Sequence, residues 1–454
     1  MMKRVLAAAA LMLAYAPANA EVVISSDPTQ SMTCASGVCT PTAKKAVLNV
    51  TDLTAMLGAG DTTVLAQYLK NGHIKNAGFI AVNTMLSWAN ASKLTLSSDV
   101  HVNTPMTVIG TGSLTISKSL TLQSGSSITF WDVSSGFSVA GTPFTLVADV
   151  STLAADIASA QGKGAYALAN DYDAMGDSFR KAPIPKFAGQ FTGLGHSIAN
   201  LKISGGSKDC EGLIAENRGV LRDITLKALT VTSTIQKNVG GLAGCNYGTI
   251  YNSSVDGSIS GSNSANVGGI AGVNLGSSGG VQLVRVTASI SGGQAGGIVG
   301  ENDTGVYEAF ASGSVTGQSN VGGLVGANKS TVQESYSTAT VNGNGGTVGG
   351  LAGFNGAGIY DSYSIGTVTG TGVVGGMVGY DPNESVVNGY WDLDTSGISD
   401  PNQGAGFPKN DTSITGLTTV QLQSRLPPGF GPKVWHLDPN INGGFPYLRA
   451  MPPQ

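Results

Sequence analysis

Residues able to do chemistry are few in this chain, and their spacing decides what they could do. A glycine pair recurs along the chain, its second position falling at 241, 269, 297, 323, 350 and 376 and, in a degenerate first copy where Glu211 replaces the first glycine, at 212, so successive steps span 26 to 29 residues. In that frame Asp256 faces the stretch Val284-Arg285-Val286, while Glu301 and Asp303 share one repeat. Glu308, Glu334 and Asp361 are read as drifting in register. Cleavage of a polysaccharide would need two or three carboxylates within about 5–10 Å, and this scatter reads as solvated corners. The four histidines, His73, His101, His196 and His436, have no ligand spacing. No Gly-x-Ser-x-Gly elbow occurs, no cysteine sits beside a histidine partner, and the glycine pairs lack the Lys-Ser/Thr that holds phosphate. Asp171, Asp173 and Asp177 could be written as a calcium set, but the twelve-residue loop is incomplete, so they read as turn-capping carboxylates. The expectation is a protein without an enzymatic centre, metal or cofactor.

The chain has four cysteines. Cys34 and Cys39, five residues apart in a polar segment, are expected to form a disulfide. Cys210 and Cys245 align in the repeat frame with Val239 and Glu216. On one straight strand that offset is about 20 Å, beyond disulfide reach; a bend at the glycines would bring them together. That pairing stays open.

The elements that must position all these residues come from the repeat. Val239-Gly240-Gly241-Leu242-Ala243-Gly244-Cys245-Asn246 recurs at 267–274, 295–302, 321–328, 348–355 and 374–381, after a degenerate copy at 210–217. Its central apolar position (Leu213, Leu242, Ile270, Ile298, Leu324, Leu351, Met377) is expected to form an interior column. Its last position (Asn217, Asn246, Asn274, Asn302, Asn328, Asn355, Asp381) is expected to form a polar ladder, since stacked amides can hydrogen-bond along an axis. About 27 residues per repeat suits three short strands and three corners, and such coils are stable only as a stack. The paired glycines suit a corner with φ > 0 or a close wall contact.

Upstream, short alternating segments run from Leu94/Leu96 to Ile128/Phe130, helical stretches are expected near 51–58 and 149–160, and residues 21–50 read as a polar lead-in. Residues 1–20 carry Lys3 and Arg4, an apolar run and Ala18-Asn19-Ala20, the pattern of a signal peptide. Its removal would take the 24 basic residues to 22 against 28 acidic ones, a net charge of −6. With charged residues at only 11% and no basic cluster, nucleic acid is excluded as a partner. No apolar run after the N-terminus reaches the roughly 18 residues of a spanning helix.

Gly248-Thr249-Ile250-Tyr251-Asn252-Ser253 and Gly257-Ser258-Ile259-Ser260-Gly261, with their counterparts at 358–363 and 366–370, resemble the bacterial GLUG motif. The stretch from Asp52-Leu53-Thr54 through Thr84-Met85-Leu86-Ser87-Trp88, then 92–96 and 112–116, resembles filamentous-haemagglutinin-type adhesins, although no Asn-Pro-Asn-Gly secretion motif is present. These resemblances imply an all-β, right-handed parallel β-helix on a secreted or surface protein, often adhesin-like, with no defined reaction. The division expected is a haemagglutinin-like solenoid at 51–148, a connecting segment with a short helix at 149–209, repeats at 210–395 and a C-terminal cap over the open end at 396–454. The function expected is binding to a host or neighbouring-cell surface, matrix or glycan. A secreted polysaccharide-binding or polysaccharide-degrading β-helix (lyase or glycoside hydrolase) is the alternative.

Overall fold

The computed structural model describes residues 21–70, 73–76, 78–206, 209–234, 237–276 and 279–453; the signal-peptide segment lies outside them. The chain winds into a β-solenoid of about 14 turns, with strands of successive coils paired in parallel. Early coils are small: Leu94 pairs with Leu114 and Val100 with Leu120, about 20 residues per turn. Apolar residues of the alternating segments point inward, so Leu94, Leu96, Val100, Val102, Met106 and Val108 are fully buried. Residues 21–50 are not a loose lead-in. Glu21–Ser25 pairs in parallel with both Ala46–Asn49 and Phe79–Val82 and buries Val22 and Ile24, because its own period-two pattern carries an apolar face into the first coil.

Two helices close apolar ends. Helix α1 (Val50–Ala59) is capped by the Asn49 side chain, which accepts from the Thr51 and Asp52 amides, and it turns Leu53 and Leu57 inward. Helix α2 (Val150–Ser159), capped by Asp149, sets Val150, Leu153 and Ile157 against the first wide coils. The smaller stack abuts the larger one edge to loop: the Ile128 amide donates to Leu194 O at 3.0 Å and the Phe130 amide to Ala169 O at 2.9 Å.

Beyond residue 184 the coils widen to the repeat length and form a nine-stranded and a seven-stranded parallel sheet beside the large third sheet. The seven central apolar residues of the motif are buried, at most 1% exposed, within one continuous core. The seven polar ones are also fully buried. Each asparagine Nδ2 donates to the side-chain oxygen one coil on, from Asn217 to Asp381, at 2.7, 2.8, 2.9, 2.9, 2.8 and 3.1 Å. Buried amides are stable only when satisfied in this way.

The glycine pairs do not adopt the left-handed backbone; none is among the positive-φ glycines. They are there for space. A Cβ on Gly296 would stand 2.5 Å from the Gly326 amide and 2.8 Å from Val325 Cα. The motif is therefore a tight corner rather than a straight strand. Asn238 and Cys245, on its two arms, touch (Nδ2 to Sγ 3.2 Å). Cys210 lies in register with Asn238 rather than Val239, one coil below, and Cys210 and Cys245 form a disulfide with Cα atoms 5.6 Å apart. The straight-strand distance fails because the chain folds back at the glycines. Cys34 and Cys39 are bonded across a hairpin.

The C-terminal region does not simply cover the open end. Ala405–Phe407 and Ile414–Leu417 still add strands to the stack. From Thr418, which forms a capping box with Gln421 on helix α3 (Thr419–Ser424), the chain becomes an arm packed on the solenoid's flank. Phe310, Tyr336, Tyr363 and Tyr390 occupy successive coils there. Trp435 of the arm sits 5.9 Å from the Tyr336 ring and 5.8 Å from that of Tyr363, and Phe430 stacks on Trp435. Tyr363 donates to Pro446 O at 2.5 Å and Tyr390 to Pro428 O at 2.9 Å.

Candidate functional site

One corner of the wide coils holds non-glycine residues in the left-handed region at every level. Asp223, Asn252, Leu283, Glu308, Glu334, Asp361 and Asn388 have φ between +46° and +56°. Pairing on either side of each corner puts them in one column. Asparagine and aspartate tolerate this conformation. Glutamate does so at a cost on the order of 1–3 kcal/mol, and two glutamates accept it in succession.

Glu308, Glu334 and Asp361 thus do not drift: they stack on three consecutive coils. The signal was available, since each lies eleven residues after the second glycine of its repeat. Comparison with the third coil obscured it, because there the equivalent residue, Leu283, comes fourteen after the glycine. Asp256 likewise registers with Thr287, three residues beyond Val284, for the same reason.

All three carboxylates are half-buried. Gln282 Nε2 donates to Glu308 at 3.2 Å and Asn388 Nδ2 to Asp361 at 2.7 Å. Glu334, between them, has only like charges on either side. Burial, then Glu308 and Asp361, push its carboxyl up to about 7, and burial raises Glu308 too. An acid whose folded pKa lies above its unfolded value costs stability as pH rises from the unfolded toward the folded pKa, and the cost is complete above both. Glu334→Gln is therefore expected to leave thermal stability unchanged near pH 4 and to raise the melting temperature at pH 8. Melting curves across that range check it; an equal melting temperature at both pH values would show that the column does not hold a strained charge.

Immediately before this corner runs a second outward column of Tyr251, Gln282, Tyr307, Gln333 and Tyr360, in register. The Arg222 guanidinium packs against Tyr251, 5.9 Å from its ring centre. The tyrosines recur every second coil, roughly 10 Å apart, with glutamines between. On the other side the arm forms a wall, with Gly429 placed against Asp361 and Asn388. The result is a lengthwise flank of phenol rings, amides and carboxylates. These groups can stack on sugar rings and hydrogen-bond hydroxyls.

The remaining candidates lie apart from this flank. Asp171 accepts from Ser197 N and Oγ, Asp173 from Met175 N and Asn200 Nδ2, and Asp177 from the Tyr172 hydroxyl. Among the described residues no three acidic, histidine or cysteine side chains are grouped to hold a metal. His196 is buried against Ile128 O, His101 stacks on Phe79 and His436 meets Arg449. None of the helices among the described residues is long and apolar enough to cross a membrane.

A parallel β-solenoid carrying an in-register polar flank defines the class of protein. Comparisons with known proteins place the chain near three references. The GLUG motif matches residues 236–260. Halomucin of Haloquadratum walsbyi is 31% identical over 191 residues, covering 37% of this chain and 2% of its own length. The chain therefore matches only a small fraction of that relative. A crystal structure described as "a putative immunoglobulin A1 protease" from Bacteroides ovatus aligns with TM-score 0.46 and 16% identity, over 68% of this chain and 93% of that one.

Proposed function

We propose that this chain is a secreted or surface-presented solenoid that binds an extended glycan along its flank, as an adhesin-like protein engages a host or neighbouring-cell surface or matrix. The observation that carries the reading is the register of the Tyr251–Gln282–Tyr307–Gln333–Tyr360 column beside Glu308, Glu334 and Asp361. A repeating polymer is matched by a repeating surface. Two disulfides favour an oxidising compartment outside the cytosol.

The test is attachment of purified protein to cells and to immobilised polysaccharides, with Tyr307→Ala/Tyr360→Ala as the comparison. Two lost stacking contacts of about 0.5–1.5 kcal/mol each should weaken binding roughly tenfold. Attachment to none of these surfaces, or equal attachment by the variant, would remove the basis for the reading.

A second reading has its own observation. Glu334, held near 7 beside Asp361, is the arrangement in which one carboxyl donates a proton while another acts as base or nucleophile. In that case the protein would release reducing ends from the bound polymer and Glu334→Gln would stop release while keeping binding. A wild-type protein that binds but releases none leaves the binding role alone.

A further inference from the structure

A different face carries an unassigned recognition surface. On the outer side of the glycine corner, Asn266 Nδ2 donates to Asn238 Oδ1 at 3.1 Å, Gln294 Nε2 to Asn266 Oδ1 at 3.2 Å and Asn320 Nδ2 to Gln294 Oε1 at 2.7 Å. Thr347 Oγ1 closes the run on Asn320 Oδ1 at 2.8 Å. This ladder is separate from the buried one and half-exposed. Within it Asn266 and Asn320 each use one N–H and one acceptor lone pair, so each amide keeps one further donor and one further acceptor position beyond the ladder.

Seven residues further along each coil, on the other arm of the corner, runs a companion column. Contacts such as Gln294 Nε2 to Glu301 Oε2 at 3.2 Å show that the two columns touch. Over the last three coils this companion becomes aromatic. Phe354 and Tyr380 are 5.8 Å apart between ring centres, and Tyr380 and Phe407 5.7 Å, tilted by 44° and 38°. Phe407 is 57% exposed, and Val373 beside Tyr380 is 39% exposed. Among the described residues no ring of the arm stacks on these three, in contrast to the Tyr336 ladder. The charges on the companion column, Lys186, Glu216 and Glu301, all lie on earlier coils, and the two glutamates are paired with Arg218 and Lys329, so from Ala327 onward the strip offers neutral hydrogen-bonding groups leading into apolar ring faces.

We infer that this amide-to-aromatic strip is a second binding site, for an uncharged polysaccharide lying along the solenoid axis. Hydroxyls, which both donate and accept, match the remaining donor and acceptor capacity of Asn266 and Asn320. The C–H faces of sugar rings match Tyr380 and Phe407. With both column glutamates in ion pairs and the last three coils carrying only rings, the strip favours a neutral polymer over an acidic or basic one. The site stands independently of the flank, on other columns of the same coils.

Affinity electrophoresis in gels containing dextran, xyloglucan, galactomannan or polygalacturonate tests it. The wild-type protein is expected to be retarded by at least one of the neutral polymers. Tyr380→Ala/Phe407→Ala should cut that retardation about tenfold and Asn320→Ala several-fold, at unchanged melting temperature. Tyr307→Ala/Tyr360→Ala, which removes the flank's rings, should leave the strip's contribution intact. Failure of every neutral polymer to retard the protein, preference for polygalacturonate, or retardation unchanged in Tyr380→Ala/Phe407→Ala would overturn the site. So would gel filtration showing that Phe407→Ala converts a dimer to a monomer, since the strip would then be a contact between copies.

Discussion

Gly296→Ala is expected to destabilise the repeat stack by about 3 kcal/mol or more, at or above the upper end for overpacking because the clash is with backbone. Its added carbon would meet the Gly326 amide at 2.5 Å and Val325 Cα at 2.8 Å, besides the Val299 carbonyl of its own corner. All of these atoms are backbone, so no side chain can rotate away. In a solenoid each coil leans on its neighbours, and the break should propagate to both sides of coil 295–302. Urea unfolding followed by circular dichroism measures the loss. A shift under about 1 kcal/mol would mean that the corner can open, and that the glycine pair serves some other need.

The second large effect concerns the Cys210–Cys245 disulfide. It closes a separation of 35 residues and ties the degenerate first copy of the motif to the second coil. A crosslink of that span restrains the unfolded chain by about 4 kcal/mol on the loop-entropy account. Cys210→Ala/Cys245→Ala should therefore lower stability by a few kcal/mol. The first unfolding should be confined to the coils around 184–246, since stability in stacked repeats is local. Hydrogen exchange resolves this: faster exchange at Ile214–Asn217 and Ala243–Asn246, with the coils beyond Val325 unaffected, is the expected pattern. Uniform acceleration along the chain would show that the stack unfolds as one unit.

Much of the architecture could be read from spacing alone, because a solenoid writes its period into the chain. Leu242 and Asn246 recur at nearly constant intervals, and constant intervals stack. What spacing could not convey was the path between marks. A corner at Gly240-Gly241 turns an apparent straight strand back on itself, which is why the distance from Cys210 to Cys245 was overestimated. Length variation in one coil hid the alignment of Glu308, Glu334 and Asp361, although counting from each glycine pair recovers it. The arm posed a harder problem. Trp435, Phe430 and Phe445 announce a hydrophobic surface, yet nothing local says whether it meets the end of the stack or the Tyr336–Tyr363 ladder on its side. That choice depends on outward residues of four separate coils acting together.

The same consideration applies to function. A candidate site on a solenoid is made of single residues contributed by successive coils, so no contiguous motif marks it. Tyr307 and Glu308 are neighbours in sequence, but their significance comes from Gln333 and Glu334 one coil on and Tyr360 and Asp361 after that.

Hydroxyl-radical footprinting with a polysaccharide that retains the protein tests the central claim most directly, because it reads side-chain solvent access residue by residue. Binding along the flank predicts that oxidation of Tyr307 and Tyr360 falls together when the polymer is added, while exposed Trp131, on the smaller stack, reacts as before. If Tyr307 and Tyr360 remain as reactive as in the free protein while the polymer is bound, the flank is not the binding surface.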